Sequence, residues 1–157
     1  MAKVSKDIPL TEVTLRRYEK PNAQDKRELV RKLCLSSGLL QPGDSRDIIV
    51  DILFVLLQAR KQGEELSSEE IRSRVIDVRK AYELPLLGTA SSNIRRQIKR
   101  LRDVFFVEKV RNNYRITEFE SMQTLFDKRV EQFLLQSVLE RVRDYTKKID
   151  EEFEVIR

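Results

Sequence analysis

At 157 residues, 40% hydrophobic and 36% charged with both signs interspersed, the chain is long enough for one cored domain and is not of disordered composition. It has no histidine and one cysteine, Cys34, which excludes Ser–His and Cys–His nucleophiles, an internal disulfide framework and zinc held by soft ligands. With no secretory leader and no apolar run near the ~20 residues of a membrane span, the expectation is a soluble cytoplasmic protein with no membrane partner, no metal and no cofactor.

Residues 1–20 contain the run Ile8 to Tyr18, whose Thr and Val content favours extended backbone, with Pro9 placing it at an edge. They are read as an N-terminal arm. A helix is expected from Pro21-Asn22, capped by Asn22, with Leu29, Val30, Leu33 and Cys34 inward. Ser36-Ser37-Gly38 ends it, Gly38 being free to take the left-handed conformation. Cys34, in that stripe, is expected to be a buried structural thiol. After the loop Gln41 to Asp47, a second helix runs to about Gln62, with Asp44 as its expected cap. Its apolar face (Ile48, Ile52, Val55, Leu56, Ala59) is widened by Ile49, Leu53 and Leu57, as in a helix central to a core. Asp51 alone interrupts the run. Gly43-Asp44-Ser45 resembles the nucleophile motif of Gly-Asp-Ser-Leu hydrolases, but no histidine exists to activate Ser45, so it is read as the start of a helix. Ser67 to Glu70 is a capping box, and the helix after it carries Ile71, Val75 and Val78. Lys80 to Gly88 breaks the pattern, with Pro85 and Gly88 as punctuation.

Thr89 to Glu118 carries the strongest signal. A capped basic helix turns Ile94, Ile98 and Leu101 inward and runs into a basic hairpin. Between Ile94 and Ile116 eight cations stand against two anions, a surplus of six, while the whole chain carries +5. The remainder is therefore about neutral, and a local cationic face of this kind suits a nucleic-acid backbone. Val104 to Val110 is β-rich, Asn112-Asn113 suits the two left-handed residues of a tight turn, and Tyr114 to Thr117 returns. That register sets Arg111 opposite Tyr114 and Lys109 opposite Ile116.

Thr117 to Glu120 reads as another capping box. From there Phe119, Met122, Phe126, Val130, Phe133, Val138, Val142, Tyr145, Ile149, Phe153 and Ile156 recur at a mean step of about 3.7 residues. One continuous helix would be ~55 Å long at ~1.5 Å per residue, more than a small domain can cover. Residues 119–157 are therefore read as a dimerisation helix. Its interface comprises Phe119, Met122, Phe126, Phe133, Val138, Val142, Tyr145, Ile149 and Phe153. The alternative is a break near Gln136-Ser137 and a fold-back onto the core.

The fold class expected is mainly α with a small β-hairpin. From Ile48 to Phe119 the order of helix, helix, basic helix, hairpin and capped helix resembles the winged helix-turn-helix. The likeness is to MarR- and PadR-like transcription regulators, whose wing often ends Tyr-x-Leu-Thr, here Tyr114-Arg115-Ile116-Thr117. The resemblance covers about half the chain. It implies a DNA-binding domain over residues 21–118, with an additional N-terminal helix, and a homodimer reading two half-sites of double-stranded DNA. The recognition helix would offer Ser91, Ser92, Asn93, Arg95 and Arg96 to base edges, with Lys99, Arg100 and Arg102 meeting phosphates. The wing would contribute Lys109, Arg111, Asn112, Asn113 and Arg115. The link Lys80 to Gly88 is longer than the family's tight turn, and the glycine often found after the wing threonine is missing.

Two rivals stand beside a sequence-specific regulator. A winged-helix assembly subunit without DNA readout would use the C-terminal stripe to hold another protein. An enzyme would need carboxylates or lysine alone, and pairs such as Glu64-Glu65, Glu69-Glu70 and Glu151-Glu152 sit at caps, loops or termini. No glycine-rich phosphate loop is present. No catalytic residue is assigned, and no small-molecule effector is legible.

Overall fold

The computed structural model describes residues 7–22 and 25–154. Among them the chain is mainly helical, with one two-stranded antiparallel sheet. The elements are α1 (Lys26–Ser36), α2 (Ile48–Lys61), α3 (Ser68–Ala81), α4 (Ser91–Asp103), β1 (Val107–Val110) and β2 (Asn113–Ile116). A 3-10 turn (Thr117–Phe119) leads to α5 (Met122–Leu125), a π-helical stretch π1 (Phe126–Leu135) and α6 (Gln136–Phe153).

Helix α2 is the axis, as its girth of apolar residues requires. Every residue from Ile48 to Leu56 is buried, and α1, α3, α4 and β2 all pack on it. The one charge in that run, Asp51, is 0% exposed and is met by Arg27 of α1 and Arg79 of α3. This pairing sets the rotation of α1. Arg27, Val30, Cys34 and Leu35 face inward, and the expected inward residue Leu29 is exposed. The cap of α1 is Asp25, which accepts from the Arg27 amide at 3.2 Å; Asn22 lies before the helix. Asp44 does not cap α2. Its carboxylate accepts from the Arg46 amide at 2.9 Å within the loop, and Asp47 holds the N-cap position with its carboxylate turned to the two arginines.

Gly38 ends α1 in the expected left-handed conformation, at φ 79, with the Leu39 amide donating to the Cys34 carbonyl at 2.9 Å and the Gly38 amide to the Leu35 carbonyl at 3.4 Å. A Cβ on Gly38 would stand 2.7 Å from the Cβ of Thr14, so only glycine lets the arm cross. The arm makes no regular strand over residues 7–22. It is strapped down by Arg16, whose amide donates to the Ser36 carbonyl and whose guanidinium donates to the carbonyls of Leu35 and Leu40 and to Gln41 Oε1. Its first six residues lie outside the described ones.

The capping box at Ser67 forms with both of its hydrogen bonds. The one at Thr117 does not. Thr117 is buried and donates its hydroxyl to the Phe105 carbonyl at 2.8 Å, and Ser121 caps α5 by accepting from the Thr124 amide. The hairpin is two residues out of the expected register: Lys109 pairs with Tyr114, not Ile116, and Val107 pairs with Ile116. The turn is therefore Arg111-Asn112, and Arg111 supplies the positive φ, 59°. This register puts Val107 and Ile116 together in the core and Glu108 opposite Arg115. Val104 to Phe106 leave the expected strand to close α4, with Phe105 left-handed at φ 65. Leu66, ahead of α3, adds a backbone bridge to Tyr114 on the hairpin.

From Met122 to Phe153 the helix is continuous, with no break at Gln136-Ser137 and no fold-back. Leu125 and Val130 are buried, and Leu134 lines a cleft beside Val130. Steps of five and four fit the wider winding of π1. α6 has no buried residue. Ile156, at the end of the expected stripe, lies outside the described residues.

Candidate nucleic-acid interface

α4 buries Ile94, Ile98 and Leu101 against α2 and α3, so its remaining faces are presented outward. Arg95, Arg96, Lys99 and Arg102 are exposed on it, and Lys109 and Arg111 are exposed on the hairpin. The two elements meet. A shallow notch of ≈ 370 Å³ between the last turn of α4 and β1 is lined by Lys99, Arg102 and Lys109, with Asp103, Phe105 and Glu108 among them. Lys99 and Arg102 of the helix and Lys109 of the hairpin thus share an edge.

They are not equally available. Among the described residues, Arg95, Arg96, Arg102, Lys109 and Arg111 enter no ion pair. Arg96 reaches only Asn93 Oδ1, at 3.3 Å, and Lys109 lies 5.8 Å from the centre of the Tyr114 ring. Lys99 pairs with Asp103 at 3.2 Å on the open surface, where such pairs contribute about 0–1 kcal/mol and yield readily. Two expected phosphate contacts are committed elsewhere. Arg100 donates to Gln97 Oε1 and to the Leu39 carbonyl at 2.7 Å, tying α4 to the loop after α1. Arg115 holds Glu108 at 2.7 Å and Glu65 at 3.6 Å, and stacks 4.7 Å over Phe119, fastening the base of the hairpin.

At the N-terminus of α4 the cap position is Ala90, and no side chain caps the helix. The amides of Ser91 and Ser92 open the helix, and Ser92 is exposed. Asn93, expected to read a base, is internally engaged. Its amide donates to the Gly88 carbonyl at 2.8 Å and its Oδ1 accepts from Gln97 and Arg96. Gly88 is left-handed at φ 86, and a Cβ there would stand 3.0 Å from Ile48 Cγ1, so the link enters α4 against the first turn of α2. Asn112 is exposed at the turn and Asn113 is half-buried beside it.

Of the residues expected at a dimer interface, Met122 and Phe126 pack on this chain's own core, and Phe119 lies under Arg115. Phe133 is exposed and meets the Phe105 ring edge-on at 5.9 Å, with Arg129 over the same ring. Val138 is half-buried, and Val142, Tyr145, Ile149 and Phe153 are exposed. This clamp on Phe105 joins the end of α4 to π1, and nothing in the sequence announced it.

The ion network that anchors the link before α4 has no local sequence pattern. Arg27, Arg79, Asp47 and Asp51 form a closed set, with contacts from 2.6 to 3.1 Å, and Arg79 also donates to the Pro85 carbonyl in the link before α4. Burial alone would push the Asp47 carboxyl up, but the hydrogen bonds from Arg27 and Arg79 outweigh it and hold it below the usual carboxylate range. Asp51 inside an apolar helix was the available signal.

No family model matches the chain, and neither the curated proteins nor the solved structures contain a significant match. Among the described residues, no helix is long and apolar enough to cross a membrane.

Proposed function

We propose that this chain is a winged-helix protein that binds double-stranded DNA, as a homodimer, and serves as a transcription regulator. The observation that carries the reading is the notch where Lys99 and Arg102 of α4 meet Lys109 of the hairpin, with Arg95, Arg96 and Arg111 exposed on the same two elements and, among the described residues, in no ion pair. A helix in a major groove with a hairpin along the neighbouring backbone needs that juxtaposition. The order α2, α3, α4, hairpin supports it, as does the Leu66 bridge, which adds a third backbone segment to the hairpin. The uncapped start of α4 leaves amides for a phosphate oxygen.

Within this reading Arg95 and Arg96 are the base-reading pair, and Arg102, Lys109 and Arg111 are backbone contacts. Lys99 joins them when phosphate displaces Asp103. Arg100, Arg115 and Asn93 hold the scaffold and contribute indirectly. The test is fluorescence anisotropy on a genomic-fragment pool and on a selected duplex. Arg95→Ala with Arg96→Ala is expected to weaken the selected duplex at least tenfold while leaving the melting temperature unchanged. Unaltered affinity in that variant would remove this docking mode, and no duplex binding by the native chain at moderate salt would favour an assembly subunit.

A further inference from the structure

Beyond Leu135 the C-terminal helix outruns the body. α6 buries nothing and packs extensively on no element except π1, which it continues. Along it Val142, Tyr145, Ile149 and Phe153 are 54%, 67%, 55% and 80% exposed. The spacing of this free part differs from that of the packed part. From Leu135 the apolar steps are three, four, three and four, through Val138, Val142 and Tyr145 to Ile149. That is the alternation of a two-helix supercoil seam. With Leu135, Val142 and Ile149 at a positions and Val138 and Tyr145 at d positions, before Glu152 takes the next d, two of three a residues are β-branched, which is the a-position half of the two-stranded parallel preference. In the sequence Ile156 falls on the next a position, outside the described residues.

The polar positions identify the occupant. α6 carries four basic and five acidic residues, and several satisfy one another along the helix, as in Arg141–Asp144 at 3.4 Å and Lys148–Glu152 at 3.1 Å. A nearly neutral, self-satisfied surface around an apolar seam gives an oppositely charged partner nothing to recognise, and it complements itself. The flanks then fix direction. The g positions beside the seam are Arg141 and Lys148, and the e positions are Leu139, Thr146 and Phe153. Antiparallel pairing sets g against g, bringing basic residues together. Parallel pairing sets g against e, carrying Arg141 toward Thr146 and Lys148 toward the Phe153 ring of the other copy, where an ammonium over an aromatic face is attractive.

We infer that a second copy of this chain covers the face, and that the two α6 helices pair as a parallel, in-register coiled coil beginning at Leu135. This rests on the homodimer reading above and adds its surface, direction and register. The coil is short, so the dimer dissociates on dilution.

Cysteine crosslinking tests it in the full-length chain. Cys34 is a quiet background, because it is fully buried and burial pushes its thiol up to about 12. Val138→Cys and Ile149→Cys place thiols near the two ends of the seam, and Arg143→Cys places one on the outer face as a control. In a parallel in-register pair each seam residue meets its own counterpart, so both seam variants are expected to give covalent dimers under mild oxidation, and the control is not. In an antiparallel pair a residue meets itself only at the dyad. A dyad midway between the two positions would leave each variant unreactive alone and crosslink a mixture of the two, and a dyad on one position would crosslink that variant alone; either pattern overturns the direction while leaving the homodimer standing. A chain that sediments as a dimer with neither variant crosslinked, alone or mixed, overturns the α6 surface. A monomer in sedimentation at high micromolar concentration overturns the homodimer itself.

Discussion

Asp51 shows how much rests on one side chain. It accepts from Arg27 at 2.8 and 3.1 Å and from Arg79 at 2.6 Å, across sequence separations of 24 and 28 residues. Asp51→Ala leaves two buried guanidiniums short of a partner and is expected to cost about 3–5 kcal/mol, read as a lowered urea midpoint. Asp47 adds a pH dependence. Its folded pKa lies below the unfolded value, so its contribution is complete above the ordinary carboxylate range and is lost as pH falls through the depressed value. Stability is expected to fall on acidification below about pH 4, and Asp47→Asn to flatten that limb in urea melts at pH 3 and pH 7. The sequence displayed Asp51 as an interruption in an apolar run. It could not display Arg27 and Arg79 as the reply, since they are brought there by the packing of two other helices.

Among elements, the two capping boxes make an instructive pair. Both have hydroxyl, two residues and glutamate. At Ser67 the local hydrogen bonds are the best available, and the box forms. Ser67→Ala is expected to cost about 1 kcal/mol, which for a chain of this length lowers the melting temperature by about 2–4 °C in a thermal scan. At Thr117 the buried hydroxyl donates to the Phe105 carbonyl, and satisfying that group takes precedence over capping. The hairpin is similar. Its existence was legible from β-branched and aromatic residues around Asn112-Asn113, but its register was settled by which residues reach the core. Val107 and Ile116 go in together, and Arg111 accepts a left-handed backbone as a consequence.

For the whole molecule the decisive quantity is where charge remains free. Each phosphate neutralised contributes about −0.9 to the slope of log affinity against log salt. Arg102→Ala with Arg111→Ala is therefore expected to reduce that slope by about 2, measured by anisotropy across a salt series. Arg100→Ala is expected to leave the slope unchanged and to lower the melting temperature, because its guanidinium is spent on the Leu39 carbonyl. The two variants separate a cation that faces solvent from one that faces the protein, a distinction the letters do not carry.

The sequence by itself determined what depends on near neighbours: the helical periods, the box at Ser67, the left-handed stop at Gly38, the presence of a hairpin, and the concentration of positive charge from Ile94 to Ile116. Only the tertiary structure decided which of those cations are spent inside, which residues of the long stripe pack on their own body, and where the strands pair. The reason is physical. A buried charge or a buried carbonyl must find a partner, that partner is usually far along the chain, and the demand to satisfy it overrides local preference wherever the two conflict.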